Sequence, residues 1–136
     1  MNLFKKTKLR KYKKCRKNKL KNLEFKATNL KFGTFGLKSI ESGIITSNQL
    51  LSAKQTILKK IKKKNKIWVN IFPNVSVTSK PIGIRMGKGK GQVSNLVCRV
   101  SCGTVLFELC GLNNLTLFEA LKVGGSKLPI KTKIFN

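Results

Sequence analysis

Residues 80–91 read KPIGIRMGKGKG, and the side chains able to do chemistry there are one arginine and three lysines set among glycines. Arg85, Lys88 and Lys90 stand close to Gly87, Gly89 and Gly91, with Met86 between. Glycine at every second position leaves backbone N–H groups uncovered beside cations, so the main chain can approach an oxyanion where Cβ atoms would obstruct. The chemistry on offer is recognition of phosphate. A nucleotide-enzyme site is one alternative, and its parts are missing. There is no GxxxxGK[ST] run, the segment does not lead from a strand into a helix N-terminus, and no Asp stands near to organise Mg²⁺. A hairpin tip with merely solvated charges is another alternative. The cationic character of the rest of the chain favours a nucleic-acid backbone over both.

Composition narrows the partner further. The 136 residues are 40% hydrophobic, enough for one domain with a real core. Thirty Lys and Arg face four Glu (Glu24, Glu41, Glu108 and Glu119), with no Asp and no His, for a formal charge of +26. Solubility asks for a magnitude of only about 2–8, so the excess implies a polyanion. The apolar runs fall well short of the ~20 residues that span a bilayer, and no membrane partner is expected. Without His the commonest general base and nitrogen ligand are gone, and scattered Glu cannot pair for acid–base work or hold Mg²⁺. No enzyme activity and no cofactor are therefore expected. Glu108 and Glu119 read as surface or salt-bridge carboxylates.

Cys15, Cys98, Cys102 and Cys110 contain no CxxC pair, which gives poor spacing for zinc. Cys98 and Cys102 would share one face of a strand as small hydrophobes, and free thiols suit a reducing compartment. Twenty-six lysines against four arginines, with abundant Asn and Ile, read as the product of an A/T-rich genome, an organelle's or a parasite's. The basic N-terminus has neither an apolar h-region nor an Arg- and Ser-rich amphipathic helix, so no cleavable signal is expected.

The elements that would position these groups divide the chain into an arm, residues 1–31, and one domain, residues 32–136, with the Gly/Lys loop at 85–91. The arm holds thirteen cations and one acid. Self-repulsion should keep it extended until phosphates neutralise it, with a solvated tail as the plain alternative. Its candidate contacts are Lys5, Lys6, Lys8, Arg10, Lys11, Lys13, Lys14 and Arg16, with Tyr12 and Phe4 as stacking surfaces.

Within the domain, residues 30–40 read as a bent strand. Residues 46–64 read as a helix opened by a Thr46/Gln49 capping box, with Leu50, Ala53, Ile57 and Ile61 on one face. Residues 67–72 and 75–84 read as strands, and Trp68, inside an apolar run, as core. Residues 92–100 and 104–110 read as a hairpin around Gly103. Asn113 or Asn114 should cap a helix through Leu121 that Gly124 and Gly125 terminate, and residues 128–135 close the chain in extended form. The class is α+β, a mainly antiparallel sheet with two packed helices and a basic extended N-terminal arm.

Four motifs in order add a resemblance: FGTFGLK at 32–38, the NKIW run at 65–68 with its continuation to Pro73, KPIGIRMGKGKG, and KLPIKT at 127–132. Together with KKTKLRK at 5–11 they make the chain similar to the bacterial-type large-subunit ribosomal protein L-sixteen family, whose archaeal and eukaryotic relatives are called L-ten-e. The resemblance implies a structural constituent of the large subunit that binds its rRNA near the aminoacyl-tRNA site and the peptidyl-transferase centre and supports tRNA positioning. It places Arg85, Met86, Lys88 and Lys90 innermost, with Lys8, Arg10 and Lys11 on the arm.

The implied partners are large-subunit rRNA, tRNA in the aminoacyl site and neighbouring ribosomal proteins, without a homo-oligomer. An RNA chaperone or ribosome assembly factor is the alternative. Gly124 and Gly125 stand where relatives carry an alanine-rich helix. Glycine costs about 0.8–1 kcal/mol there, so that helix is expected to end early. Residues 92–102 lack the acidic and aromatic residues common in relatives, which points to a mitochondrial copy over a plastid or bacterial one.

Overall fold

The computed structural model describes residues 22–61 and 65–136, together with Cys15 and Leu20. Seven strands and two helices follow in the order β1 (Phe35–Ser39), β2 (Gly43–Thr46), α1 (Ser47–Lys60), β3 (Lys66–Val69), β4 (Val75–Ser79), β5 (Gln92–Val100), β6 (Val105–Cys110), α2 (Asn114–Gly125) and β7 (Thr132–Phe135). They form two antiparallel sheets, one ordered β3-β6-β1-β7 and the other β2-β5-β4. The α+β class stands, with its strands divided between two sheets. Among the described residues no helix is long and apolar enough to cross a membrane.

Helix α1 starts where its capping box requires. The Gln49 N–H donates to Thr46 Oγ1 at 3.3 Å, and the Thr46 N–H donates to Gln49 Oε1 at 2.9 Å. Leu50, Ala53 and Ile57 are buried along one stripe. The helix stops at Lys60, short of the expected Lys64, because Ile61 turns to extended backbone and buries its side chain. Continuing helically would crowd like charges into one last turn. Residues 62–64 lie outside the described region.

Helix α2 departs in the opposite direction. Asn113 caps it, accepting from the N–H groups of Leu115 and Thr116, but the helix runs through both glycines to Gly125. A Cβ on Gly124 would lie 2.4 Å from Ile57 Cγ1 of α1, and one on Gly125 would lie 2.7 Å from Thr132 Oγ1. The glycines let α2 seat closely on α1 and β7, and that packing outweighs their poor helix propensity.

The strands depart from expectation mainly in partner. β5 and β6 do not form a hairpin: β5 joins β2 and β4, and β6 joins β1 and β3. The turn at Gly103, with φ +94°, carries the chain from one sheet to the other. Buried Ser39 ties that crossing, its Oγ donating to Ser101 O at 2.7 Å while its carbonyl accepts from Gly103 N at 2.9 Å. Strand β1 begins only at Phe35, and β3, β4 and β7 are each shorter than their extended-looking sequence.

The core collects Leu37, Ile45, Leu50, Ile57, Phe107, Leu109, Leu117 and Leu121 between the sheets and the helices. Cys98 belongs to it, and burial pushes its thiol up to about 11 against a weaker lowering by the Phe72 backbone. Cys102 lies beyond the end of β5, so the two thiols do not share a strand face. All four cysteines are free.

Candidate nucleic-acid interface

The loop of residues 80–91 is the tip of the β4–β5 hairpin. Ser79 pairs with Gln92 at its base, and the ladder runs back to Val75 opposite Val97. Four residue steps at about 3.3 Å carry the tip roughly 13 Å along the ladder from that first pair. On the β5 side Gln92, Val93, Ser94 and Asn95 are exposed, and burial starts in earnest only at Val97. The hairpin therefore leaves the body before it turns.

Glycine is required at the turn itself. Gly83, Gly87 and Gly89 have φ of +87°, +99° and +84°, and Lys88 between the last two is also left-handed at +51°. A Cβ on any of those three glycines would meet nothing within 4 Å among the described residues, which leave their backbone open on the outside. That combination of positive φ and free approach is what a close contact to an oxyanion needs. Gly91 has a different task. A Cβ there would lie 2.4 Å from Ser79 O, so its absence lets the hairpin base close.

The tip is held by its own cations. Lys80 Nζ donates across the loop to Gly87 O, and Lys90 Nζ donates to Cys15 O at 2.9 Å. Lys90 thus brings the arm's Cys15 against the hairpin. Of the residues singled out from sequence, the structure gathers Arg85, Met86, Gly87, Lys88, Gly89, Lys90 and Gly91 on this one tip. Ile82 and Met86 are fully exposed beside them, at 105% and 98% of their reference areas. Lys5, Lys6, Lys8, Arg10, Lys11, Tyr12, Lys13, Lys14 and Arg16 lie outside the described residues.

Glu108 corrects the sequence reading. It is fully buried on the outer face of the four-stranded sheet. Its Oε2 accepts the N–H groups of Lys31, Phe32 and Gly33 at 3.1, 2.7 and 2.8 Å, and its Oε1 accepts from Asn70 Nδ2. Burial pushes this carboxyl up, but the N–H groups of Phe32 and Gly33, the Asn70 amide and the Lys31 N–H together hold it below the ordinary carboxylate value. The carboxylate anchors the chain where the arm ends, from Lys31 to Gly33. Farther back, Glu24 N donates to Cys102 O and Val105 N donates to Ala27 O, so residues 23–33 strap the body.

Three consecutive N–H groups turned on one carboxylate leave no pattern of residue types, and only the isolation of Glu108 in an apolar strand hints at it. Trp68 also sits on this outer face. Its neighbours Ile67 and Val69 pack on the core, so strand alternation turns Trp68 outward, half-buried and stacked on Phe32 with centroids 6.0 Å apart. Glu119 is exposed, as its surroundings in sequence suggest.

Among the described residues no group of three or more His, Cys, Asp or Glu could hold a metal ion. In class, the chain is a strongly basic α+β protein that projects a cationic glycine hairpin. Residues 4–135 match the family model described as Ribosomal protein L16p/L10e. The large ribosomal subunit protein uL16 of Orientia tsutsugamushi, strain Boryong, is 42% identical over 127 residues, 93% of each chain, and the strain Ikeda protein matches equally. The chain belongs to this ribosomal protein family.

Proposed function

We propose that the protein is a structural constituent of the large ribosomal subunit, binding large-subunit rRNA near the aminoacyl-tRNA site and the peptidyl-transferase centre and supporting tRNA positioning without a covalent step of its own. The observation that carries this reading is the projecting tip at 80–91, where Arg85, Lys88 and Lys90 flank left-handed backbone that no described residue obstructs. Phosphate contacts from Lys and Arg set register, and the open main chain matches RNA shape at close range. Residues 1–31 act as the rRNA-binding arm of a single domain, 32–136. Lys5, Lys6, Lys8, Arg10, Lys11, Lys13, Lys14 and Arg16 neutralise phosphates there, and Tyr12 stacks. The lysine-rich usage and the acid-poor β5 support a mitochondrial ribosome as its location.

The experiment is reconstitution of large particles with the full chain. Under this reading the protein stays with the particle through a high-salt sucrose gradient, and Arg85→Ala impairs peptide synthesis more than Lys60→Ala on the exposed end of α1. Release in high salt would instead identify an assembly factor or chaperone. Equal effects of the two substitutions would remove the special role of the tip.

A further inference from the structure

Edge strand β3 turns Lys66 and Trp68 to the outer face of the four-stranded sheet, where Trp68 pairs with Glu108 and Lys66 with Cys110. Phe32 lies over Trp68, the two rings 6.0 Å apart and inclined by 24°, and it is still 61% exposed. Its backbone is fixed. The Phe32 N–H donates to Glu108 Oε2 at 2.7 Å, and the N–H groups of Lys31 and Gly33 on either side donate to the same oxygen. A Cβ on Gly33 would lie 2.7 Å from Leu109 O, so glycine there lets the segment press against β6. The exposed ring is thus presented on a prepared support, which lowers the cost of ordering it against a ligand.

Phe32 borders two hollows. One, of about 490 Å³, is lined by Phe32, Lys66, Trp68, Cys110, Gly111 and Leu112. The other, of about 300 Å³, holds Lys31 and Asn29 beside the same ring. Each contains one exposed lysine, and no acid lines either. Glu108 lies buried beneath, its oxygens accepting from the N–H groups and from Asn70. A flat aromatic surface between two cations is the pattern that meets single-stranded nucleic acid, with a base on the ring and phosphates on the lysines. A protein segment could cover the rings, but it would need carboxylates of its own to match the lysines, whereas RNA carries a phosphate at every nucleotide. We propose that Phe32, stacked on Trp68, is a platform for one unpaired base of large-subunit rRNA, with Lys31 and Lys66 on the flanking phosphates. This inference rests on the ribosomal reading above and adds an RNA contact made by stacking, on a different sheet from the one that carries the tip.

The full chain has one tryptophan, so its fluorescence reports on this site. A single-stranded oligouridylate of about eight nucleotides should quench it at saturation at least twofold more than an abasic strand of the same length, which keeps the phosphates and lacks the bases. Phe32→Leu should weaken oligouridylate binding at least fivefold and abasic-strand binding less than twofold, and Phe32→Tyr should restore the native affinity. In assembled large particles, benzoylphenylalanine at position 112, on the wall of the larger hollow, should crosslink to large-subunit rRNA. Co-sedimentation of the chain with the particle is read first. Its failure would count against the ribosomal reading, while the comparison of the two strands still decides the platform. Equal quenching by the two strands, or an oligouridylate affinity that Phe32→Leu leaves within twofold, would overturn the proposal. So would a crosslink to protein, or none, in sedimenting particles.

Discussion

Glu108 shows how one residue can set a boundary in the molecule. Its carboxylate gathers three successive N–H groups and an amide, and so fixes the point where the chain passes from strap to sheet. Charge-assisted bonds of this kind contribute roughly 1.5–3 kcal/mol each relative to solvated partners, and stranded donors cost a comparable amount. Glu108→Gln keeps the shape and removes the charge, and it should cost about 1–3 kcal/mol in urea unfolding of the full chain. Because the folded carboxyl is held below its ordinary value, the stabilisation is complete above the ordinary carboxylate range. It is lost as pH falls through the lowered folded value. The acid limb of stability against pH should therefore flatten in Glu108→Gln, and an unchanged limb would show that other carboxylates dominate. Cys98 carries a second expectation at this scale: its buried, raised thiol should react with alkylating reagents only after unfolding, whereas half-exposed Cys102 and Cys110 react in the native protein.

Elements were legible in the sequence where the signal was local. The capping box of α1, its apolar stripe and the Asn cap of α2 are read directly from residue types at fixed spacing. What the sequence did not disclose is long-range. Glycine in α2 looks like a terminator until Ile57 of another helix is seen 2.4 Å from where a Cβ would be, and β5 looks like the hairpin partner of β6 until Ser39 ties the turn between two sheets. Gly124→Ala separates the two effects. Propensity alone would gain about 1 kcal/mol, whereas overpacking against a fully buried Ile57 costs typically 1–3. The close approach should win, so thermal unfolding of Gly124→Ala should show a lowered midpoint, and a raised one would mean that the helices yield easily.

For the whole molecule, charge decides more than shape. A formal charge of +26 sits on a body with one strapped face and one projecting tip, and a charge of that size calls for a polyanionic partner. Binding of the full chain to a large-subunit rRNA fragment should weaken with salt. The slope of log K against log salt should fall between about −0.7 and −0.9 for each phosphate neutralised. Binding insensitive to salt would contradict a phosphate-based interface. The candidate tip drew notice in the sequence because glycines and cations alternate there within a few residues. Its being the end of a hairpin that leaves the body depended on β4 and β5 pairing across the loop, which no short-range pattern announces.

The central claim is that the tip at 80–91 meets large-subunit rRNA. Met86, almost wholly exposed at that tip, is the position from which to ask. With benzoylphenylalanine at position 86 in assembled large particles, the predicted product is an RNase-sensitive crosslink to large-subunit rRNA, with tRNA added to the product when the aminoacyl site is filled. A crosslink to protein alone, or none in particles that contain the chain, would contradict the account.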